Sequence, residues 1–219
     1  MANKRASTTF ITPDYTIVFP SLVEARQRKD PATGRPYVGS TPKFEQTMAF
    51  TFRDYKDYVE PQFEQVLKKD FHEDDVEAAL AAVFSSRKAA LRLPVQTGES
   101  FNARRVKQGK EAFADLEDCV LVASTSNTKP GAVDAAGKEI DNSAITGGST
   151  CCAEIVIRTM DGALYTGAVC YVNNVQLIKQ AGRRPATEVF KPRSGGSSVV
   201  NPFKKHTPIP AAEDDEIPF

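Results

Sequence analysis

The sequence predicts a mainly β fold with helical insertions, in the α+β class, followed by a C-terminal tail. Six short segments have the β-branched, aromatic or alternating composition of strands. Two segments with helical spacing lie between the second and third of these strands. From Ala181 onward the chain is rich in Pro, Gly, Ser, Lys and Arg, which is typical of a flexible linker.

The first two predicted strands are residues 15–24 and 43–53. The first is rich in β-branched and aromatic residues, and Pro20 interrupts it. In the second, large apolar side chains alternate with polar ones, as in a strand with one buried face. Its apolar face consists of Phe44, Met48, Phe50 and Phe52. The charged segment between the strands contains several turn signals and is predicted to be a loop.

Two helices are predicted next. Residues 55–67 space their apolar side chains at helical intervals, with Pro61 near the start of the second part. Residues 73–88 begin with acids and end with bases, which suits the helix macrodipole. Both helices are expected to pack on the sheet. The acids Glu73, Asp74 and Asp75 could instead form a metal cluster, but a helix N-terminus explains them better.

The remaining strands alternate with loops. Residues 91–95 are predicted as a short strand, residues 100–111 as a basic, polar loop, and residues 120–124 as an apolar strand. A long loop rich in Ser, Asn, Gly and Ala is expected over residues 125–148. The last two strands, 151–158 and 165–178, are joined at Asp161-Gly162, a strong hairpin signal.

This pattern fits a small β-barrel with helical insertions, an OB-fold among the possibilities. Other α+β folds would give a similar pattern. The predicted domains are residues 1–182, an OB-fold domain, and residues 183–219, a flexible linker that ends in an acidic tail.

Composition restricts the classes of protein. The chain has 219 residues, 41% of them hydrophobic and 26% charged, which suits one sizeable domain with a tail. There is no apolar run of the length that a membrane span needs. The polar N-terminus does not resemble a signal peptide. A cytoplasmic protein is expected, in the host cell if a phage encodes it.

The cysteines and the acidic residues give no catalytic pattern. Cys119, Cys151, Cys152 and Cys170 lack the spacing of a zinc site and fall in strand-like segments, where free cysteine is usually a small buried residue. Gly147-Gly148 lacks the Lys-Ser/Thr partner of a phosphate-binding loop. The acids at 134, 139 and 141 do not match a calcium loop. We therefore expect no enzyme, no cofactor and no metal.

Charge is distributed unevenly along the chain. The formal count is 28 basic and 28 acidic residues. With the four acids of the tail set aside, 28 basic and 24 acidic residues remain, a net charge of +4. A body that binds a polyanion, with a tail that competes for the same surface, would have this distribution.

The chain ends in an acidic run followed by an apolar tip. We interpret the tip as a peptide that docks on other proteins, with Phe219 in an apolar pocket and its α-carboxylate on a Lys or Arg. The alternative is an ordinary frayed terminus. The residues of this predicted docking tail are Glu213, Asp214, Asp215, Glu216, Ile217, Pro218 and Phe219.

Basic and aromatic residues are interleaved in the body, as single-stranded DNA binding requires. Such binding combines a positive groove with aromatic faces on which bases stack. The alternatives are solvated loops for the basic residues and core packing for the aromatic ones. The candidate residues are Tyr37, Lys43, Arg53, Phe101, Arg104, Arg105, Lys107, Lys110, Arg158, Tyr165 and Tyr171. Tyr171 is expected to be exposed if its neighbours Cys170 and Val172 face the core.

Several blocks of sequence, in order, resemble single-stranded DNA-binding proteins of tailed bacteriophages, which are built on one OB-fold. Phe19-Pro20-Ser21-Leu22-Val23-Glu24 with Thr41-Pro42-Lys43-Phe44 resembles the opening strand pair. Leu93-Pro94-Val95-Gln96-Thr97-Gly98-Glu99 resembles a Leu-Pro-turn block. Ser124 through Lys129-Pro130-Gly131-Ala132-Val133-Asp134 resembles the segment before the long loop, and GAVCYVNNVQ at 167–176 the closing strand.

The resemblance implies a sequence-independent single-stranded DNA-binding protein of replication or recombination. The acidic tip resembles the tail with which bacterial single-stranded DNA-binding proteins recruit replication and repair enzymes. Two other functions remain open. One is an adaptor or structural protein that acts only through its tail, and the other is a nuclease with carboxylate-held metal. Oligomeric state is left open by the sequence.

Overall fold

The computed structural model describes residues 5–27, 35–36, 40–85, 88–163 and 165–182. Its strands are β1 (Ser7–Ile11), β2 (Tyr15–Arg26), β3 (Lys43–Thr51), β4 (Val95–Thr97), β5 (Cys119–Ser126), β6 (Gly131–Asp134), β7 (Thr150–Asp161) and β8 (Thr166–Lys179). Its α-helices are α1 (Phe52–Asp54), α2 (Glu60–Leu67), α3 (Glu73–Ala82) and α4 (Gly98–Lys107). A π-helical turn over Tyr55–Val59 joins α1 to α2, and 3-10 turns occupy Ala114–Leu116 and Asn142–Ala144.

Five of the strands close into a barrel. β2 pairs antiparallel with β3, and β3 with β5. β5 meets β8 in a parallel contact between Thr125 and Tyr171. β8 pairs antiparallel with β7, and β7 returns to β2. The barrel is a Greek-key OB-like fold, so the predicted fold class is confirmed.

Alternating side chains fill the barrel, and the helices cover part of its surface. Ile17, Met48 and Phe50 are fully buried from β2 and β3, as are Ile155 and Ile157 from β7. The helical insertion α1–α3 follows β3 directly, as predicted. Its apolar face, which includes Phe63, Val66 and Leu67, is buried where α2 packs on β7, β8 and β1. The three acids of α3 occupy its first turn.

The strand predictions for β2 and β3 are confirmed except at their ends. β2 contains the predicted irregularity, since its register with β3 shifts between Val18 and Ser21. β3 stops at Thr51 because the Thr51 hydroxyl caps the first helical turn by accepting from the Asp54 amide at 3.1 Å. Phe52 therefore begins a helix and is 53% exposed. Its prediction as part of the strand's apolar face was wrong.

The prediction of a loop over residues 100–111 was also wrong, because α4 occupies most of it. The Thr97 hydroxyl caps α4 by accepting from the Ser100 amide at 3.2 Å, Glu99 lies in the first turn, and three bases lie in the last. The helix exposes most of its residues, so the sequence has little apolar periodicity. Polar helices of this kind are easily taken for loops.

Two other predicted boundaries require correction. The predicted loop 125–148 contains β6 and the 3-10 turn Asn142–Ala144. The short strand expected at 91–95 instead covers Val95–Thr97, with an isolated bridge between Arg92 and Gly167 before it. The hairpin prediction is confirmed, because β7 and β8 pair from Asp161 and Thr166 outward.

The four cysteines lie in strands and are free thiols. Cys151 and Cys170 are buried, whereas Cys119 and Cys152 are half-buried. Burial raises the pKa of Cys151 to about 12 and that of Cys170 still further. Such thiols pack as small apolar residues, as the sequence suggested.

Within the part of the chain described, none of the helices combines the length and apolarity needed to cross a membrane. Residues 183–219, including the predicted linker and docking tail, lie outside the described residues.

One carboxylate ties the N-terminal segment to the body. Asp70, in the turn after α2, accepts from the Ala6 amide at 2.9 Å and from the Thr159 hydroxyl of β7. The Thr159 bond, and then the Ala6 bond, lower the pKa of Asp70. Because the pKa is lower in the folded chain, the stabilisation is complete above the unfolded pKa of about 3.9. It is lost as pH falls through the folded pKa.

Asp70→Asn is therefore expected to lower the midpoint of thermal unfolding at pH 7. The difference from the wild type should shrink as pH falls below about 4, where Asp70 itself becomes protonated. Thermal melts followed by circular dichroism between these pH values measure both effects. Glu77→Gln, at an exposed position of α3, serves as the control and should leave the midpoint unchanged. A constant difference at every pH would contradict the assignment.

Candidate nucleic-acid interface

An open groove of about 570 Å³ runs across the outside of the barrel over β3, β5 and β8. Its floor consists of outward-facing side chains, because strand residues alternate between the two faces of a sheet. Glu45 of β3 pairs with Thr125 of β5, while the next residues, Gln46 and Ser124, are buried on the inner face. The lining residues are Arg26, Ser40, Thr41, Lys43, Glu45, Leu93, Pro94, Ala123, Thr125, Tyr165, Val169 and Cys170.

One wall of the groove is held by backbone contacts with β8. The Arg92 amide donates to the Thr166 carbonyl at 2.8 Å, and the Ala168 amide donates to the Arg92 carbonyl at 3.0 Å. The Tyr165 hydroxyl donates to the Ala168 carbonyl at 2.6 Å and to the Arg92 carbonyl at 3.1 Å. Burial raises the pKa of Tyr165, which keeps this donor protonated. These contacts fix the Tyr165 ring beside Leu93 and Pro94.

Tyr171 and Arg158 lie on the same outer surface as the groove. Cys170 and Val172 are buried, so Tyr171 faces outward as predicted, although it is half-buried rather than fully exposed. Tyr171 pairs with Thr125 of the groove floor. Arg158 pairs with Val169, which lines the groove, and residues directly opposite in an antiparallel pair project to the same face.

A second group, which we call the aromatic–arginine patch, consists of Phe19, Phe101, Phe113, Arg104 and Arg105. Phe101 and Phe113 are stacked with ring centroids 6.5 Å apart, and Phe19 contacts them at 6.0 and 5.5 Å. The Arg105 guanidinium lies 4.1 Å from the Phe113 ring centroid, and the Arg104 guanidinium lies 5.9 Å from that of Phe101. The patch places cations directly against aromatic faces.

The aromatic–arginine patch adjoins the groove. Val18 pairs with Thr47, and Thr47 pairs with Ala123 of the groove floor. Two strand spacings of about 4.8 Å separate Val18 from Ala123. Phe19 follows Val18 directly. On the other side, Arg104 Nη2 donates to Gln96 Oε1 at 2.9 Å, two residues beyond Pro94 of the groove wall.

The structure brings together seven of the predicted residues. Lys43 and Tyr165 line the groove, Tyr171 and Arg158 flank it, and Phe101, Arg104 and Arg105 form the adjoining patch. Arg53 lies instead at the start of the helical insertion, paired with Asp57 at 3.4 Å. Lys107 ends α4 and Lys110 follows it, both exposed. Tyr37 and the predicted docking tail 213–219 lie outside the described residues.

Sequence reasoning missed Arg26, Phe19 and Phe113. Arg26 ends β2, and its place in the groove depends on the path of the following segment. Phe19 and Phe113 meet Phe101 only through tertiary packing, since 82 residues separate Phe19 from Phe101 in the chain. Pro20 was the one local signal, because proline in a strand marks an irregularity.

The acidic residues considered as ligands have other roles. Asp134 Oδ1 accepts from the Ala136 and Lys138 amides, both at 2.9 Å, and closes a turn. Asp141 Oδ1 accepts from the Ser143 amide at 2.8 Å and caps the 3-10 turn Asn142–Ala144, which lowers its pKa. Among the residues that the structure describes, no group of three or more His, Cys, Asp and Glu is placed to hold a metal ion.

The groove occupies the face that OB-folds commonly use. In that fold the second and third strands, with the first and fourth loops, bind oligonucleotides and oligosaccharides. Here β3 and β5 are the second and third barrel strands. Ser40 and Thr41 belong to the segment between the first two, and Tyr165 lies between the last two.

Solved structures with the same fold come from a bacteriophage. The single-stranded DNA-binding protein from bacteriophage Enc34 in complex with ssDNA matches with a TM-score of 0.59 and 13% identity, over 81% of this chain and 89% of its own. Its C-terminal truncation matches with a TM-score of 0.57 and 13% identity, over 83% and 98%. The chain shares their fold. Their descriptions name single-stranded DNA binding, which is not an enzymatic activity, in agreement with the prediction of a non-enzyme.

No protein-family model matches the sequence, and no curated protein matches it.

Proposed function

We propose that the protein binds single-stranded DNA without sequence preference, along the groove over β3, β5 and β8. The observation that carries the proposal is the groove itself, which combines the binding face of an OB-fold with adjoining aromatic rings and arginines. Stacking on rings and contact with phosphates do not depend on base identity, so this combination suits any sequence. The phage protein with the same fold, solved with ssDNA, supports the same ligand.

In this proposal the protein coats single strands exposed during replication or recombination, in the cytoplasm of the cell where the DNA is copied. Glu213–Phe219 would recruit the proteins that act next. The run of four acids and the terminal Ile-Pro-Phe support a docking role, because they offer both charge and an apolar anchor.

The test is fluorescence anisotropy with a labelled oligo-dT of about 30 nucleotides, longer than the 4–16 nucleotides that one OB-fold covers. A duplex of equal length is titrated in parallel, at about 50 and 200 mM salt. Binding to the single strand that weakens with salt, with little binding to the duplex, is the expected result. Binding to neither would overturn the proposal and favour an adaptor that acts through its tail.

Deleting residues 211–219 is expected to tighten single-strand binding at low salt. The deletion removes four carboxylates that compete with phosphates for the basic surface. The same titration measures the effect. A matched full-length variant with Glu213, Asp214, Asp215 and Glu216 changed to Gln and Asn separates charge from length, and should bind as tightly as the deletion. Equal affinity for the deletion and the wild type would contradict competition by the tail.

A further inference from the structure

The backbone at Phe19 has an unusual conformation for a large side chain. Its φ is +50°, in the left-handed region that bulky residues rarely adopt. It is the one non-glycine residue with positive φ among those described. The conformation arises at the bulge in β2, where Phe19 and Pro20 together oppose Gln46, between the pairs Val18–Thr47 and Ser21–Glu45. Bulges commonly redirect a side chain next to a functional site.

The bulge directs the Phe19 ring onto the surface rather than into the barrel. Phe19 is 46% exposed, although its neighbour Val18 is buried beside Leu116 and Leu121. The ring rests on Phe113 and Phe101, so one side is packed and the rest is open. A ring that is supported from beneath and exposed above is suited to stack on a planar group.

The surroundings of Phe19 favour a nucleotide as that planar group. Arg105 uses Nε to donate to the Glu111 carbonyl at 2.9 Å, and Arg104 uses Nη2 on Gln96. A guanidinium has five N–H donors, so both arginines keep donors for a phosphate. The patch therefore offers an aromatic face and phosphate-binding groups side by side, and it adjoins the groove floor at Ala123.

We propose that Phe19, supported by Phe101 and Phe113, stacks an unpaired base of the strand as it leaves the groove, while Arg104 and Arg105 hold the adjoining phosphates. The proposal rests on the proposed function, because it extends the path of the same single strand. It makes the bulge in β2 a feature that lengthens the binding site beyond the groove.

Phe19→Asn tests the role of the ring without straining the fold. Asn tolerates the left-handed conformation better than other residues with a side chain, so the midpoint of thermal unfolding should not fall. Affinity for an oligo-dT of about 30 nucleotides should fall by roughly 5- to 100-fold, the effect of losing one stacked base. Tyr58→Ala, which removes a 58% exposed ring from the π-helical turn, is the matched control and should bind normally.

Phe19→Trp supplies a second, direct readout. The chain has no tryptophan, so this residue would be the sole indole. Its fluorescence should be quenched as the single strand saturates the protein, because a base stacks on it, and duplex should quench it little. Unchanged affinity of Phe19→Asn, or no quenching of Phe19→Trp at saturation, would overturn the stacking role while leaving binding in the groove intact. Failure of the wild type to bind would instead overturn the proposed function itself.

Discussion

Replacing Lys43, Arg104 and Arg105 together by Gln is expected to weaken single-strand binding by about 100-fold at low salt, if each charged contact contributes about 1 kcal/mol. Lys43 lines the groove, and the two arginines lie against the rings of the adjoining patch. Each phosphate contact on a single strand contributes about 0.7 to the slope of log K against log salt. The slope should therefore become shallower by about 2. Titrations across a range of salt concentrations measure both quantities.

The matched control changes the same charge elsewhere. Arg53, Lys69 and Lys88 are exposed on or beside the helical insertion, and their triple change to Gln removes three positive charges. It should reduce affinity much less and leave the slope nearly unchanged. Equal losses for the two triple variants would mean that overall charge, rather than the groove and its patch, attracts the strand.

Gly167→Ala is expected to lower the free energy of unfolding by about 3 kcal/mol, through backbone strain and lost hydrogen bonds. Gly167 has φ +142°, and an added Cβ would lie 2.0 Å from the Arg92 carbonyl oxygen and 2.5 Å from the Arg92 nitrogen. Both neighbours are backbone atoms that bond β8, so the segment before β4 would have to move away. Because Leu93 and Pro94 belong to this wall of the groove, single-strand affinity should fall as well. Urea unfolding and the anisotropy titration measure the two effects.

Gly109→Ala separates strain from collision. Gly109 has φ +70°, and nothing lies within 4 Å of an added Cβ. It should lose about 1 kcal/mol, from the left-handed backbone alone. A loss at Gly167 no larger than at Gly109 would show that the wall relaxes freely and that the Arg92 contacts do not define the groove.

The elements that could be predicted from sequence are those with a strong local pattern. The β7–β8 hairpin combines alternating residues with an Asp-Gly turn, and β2 and β3 combine β-branched and aromatic residues with alternation. α4 was missed because it is mostly exposed and has little apolar period, so that only its Thr97 cap and its charge order indicated a helix. The closure of the barrel depends on the contact between β5 and β8, which no local pattern encodes.

The candidate site divides in the same way. Phe101, Arg104 and Arg105 are close in the sequence, and their proximity was predictable even though the loop assigned to them is a helix. Their contact with Phe19 depends on a bulge and on packing between distant segments. Tyr165 was selected for its ring, but its position in the groove follows from bonds to Ala168 and Arg92. Sequence reasoning thus identifies the residue types that binding needs, while the fold decides which of them share a surface.

The most direct test of where the strand lies is photo-crosslinking with oligo-dT containing 5-iodouracil, followed by mass spectrometry of the crosslinked peptides. Crosslinks to aromatic residues of the groove and the adjoining patch, Tyr165, Tyr171 and Phe19, are the predicted result. Crosslinks concentrated instead on the exposed rings of the helical insertion, Phe52 and Tyr58, would contradict the assignment of the groove over β3, β5 and β8 as the single-strand path.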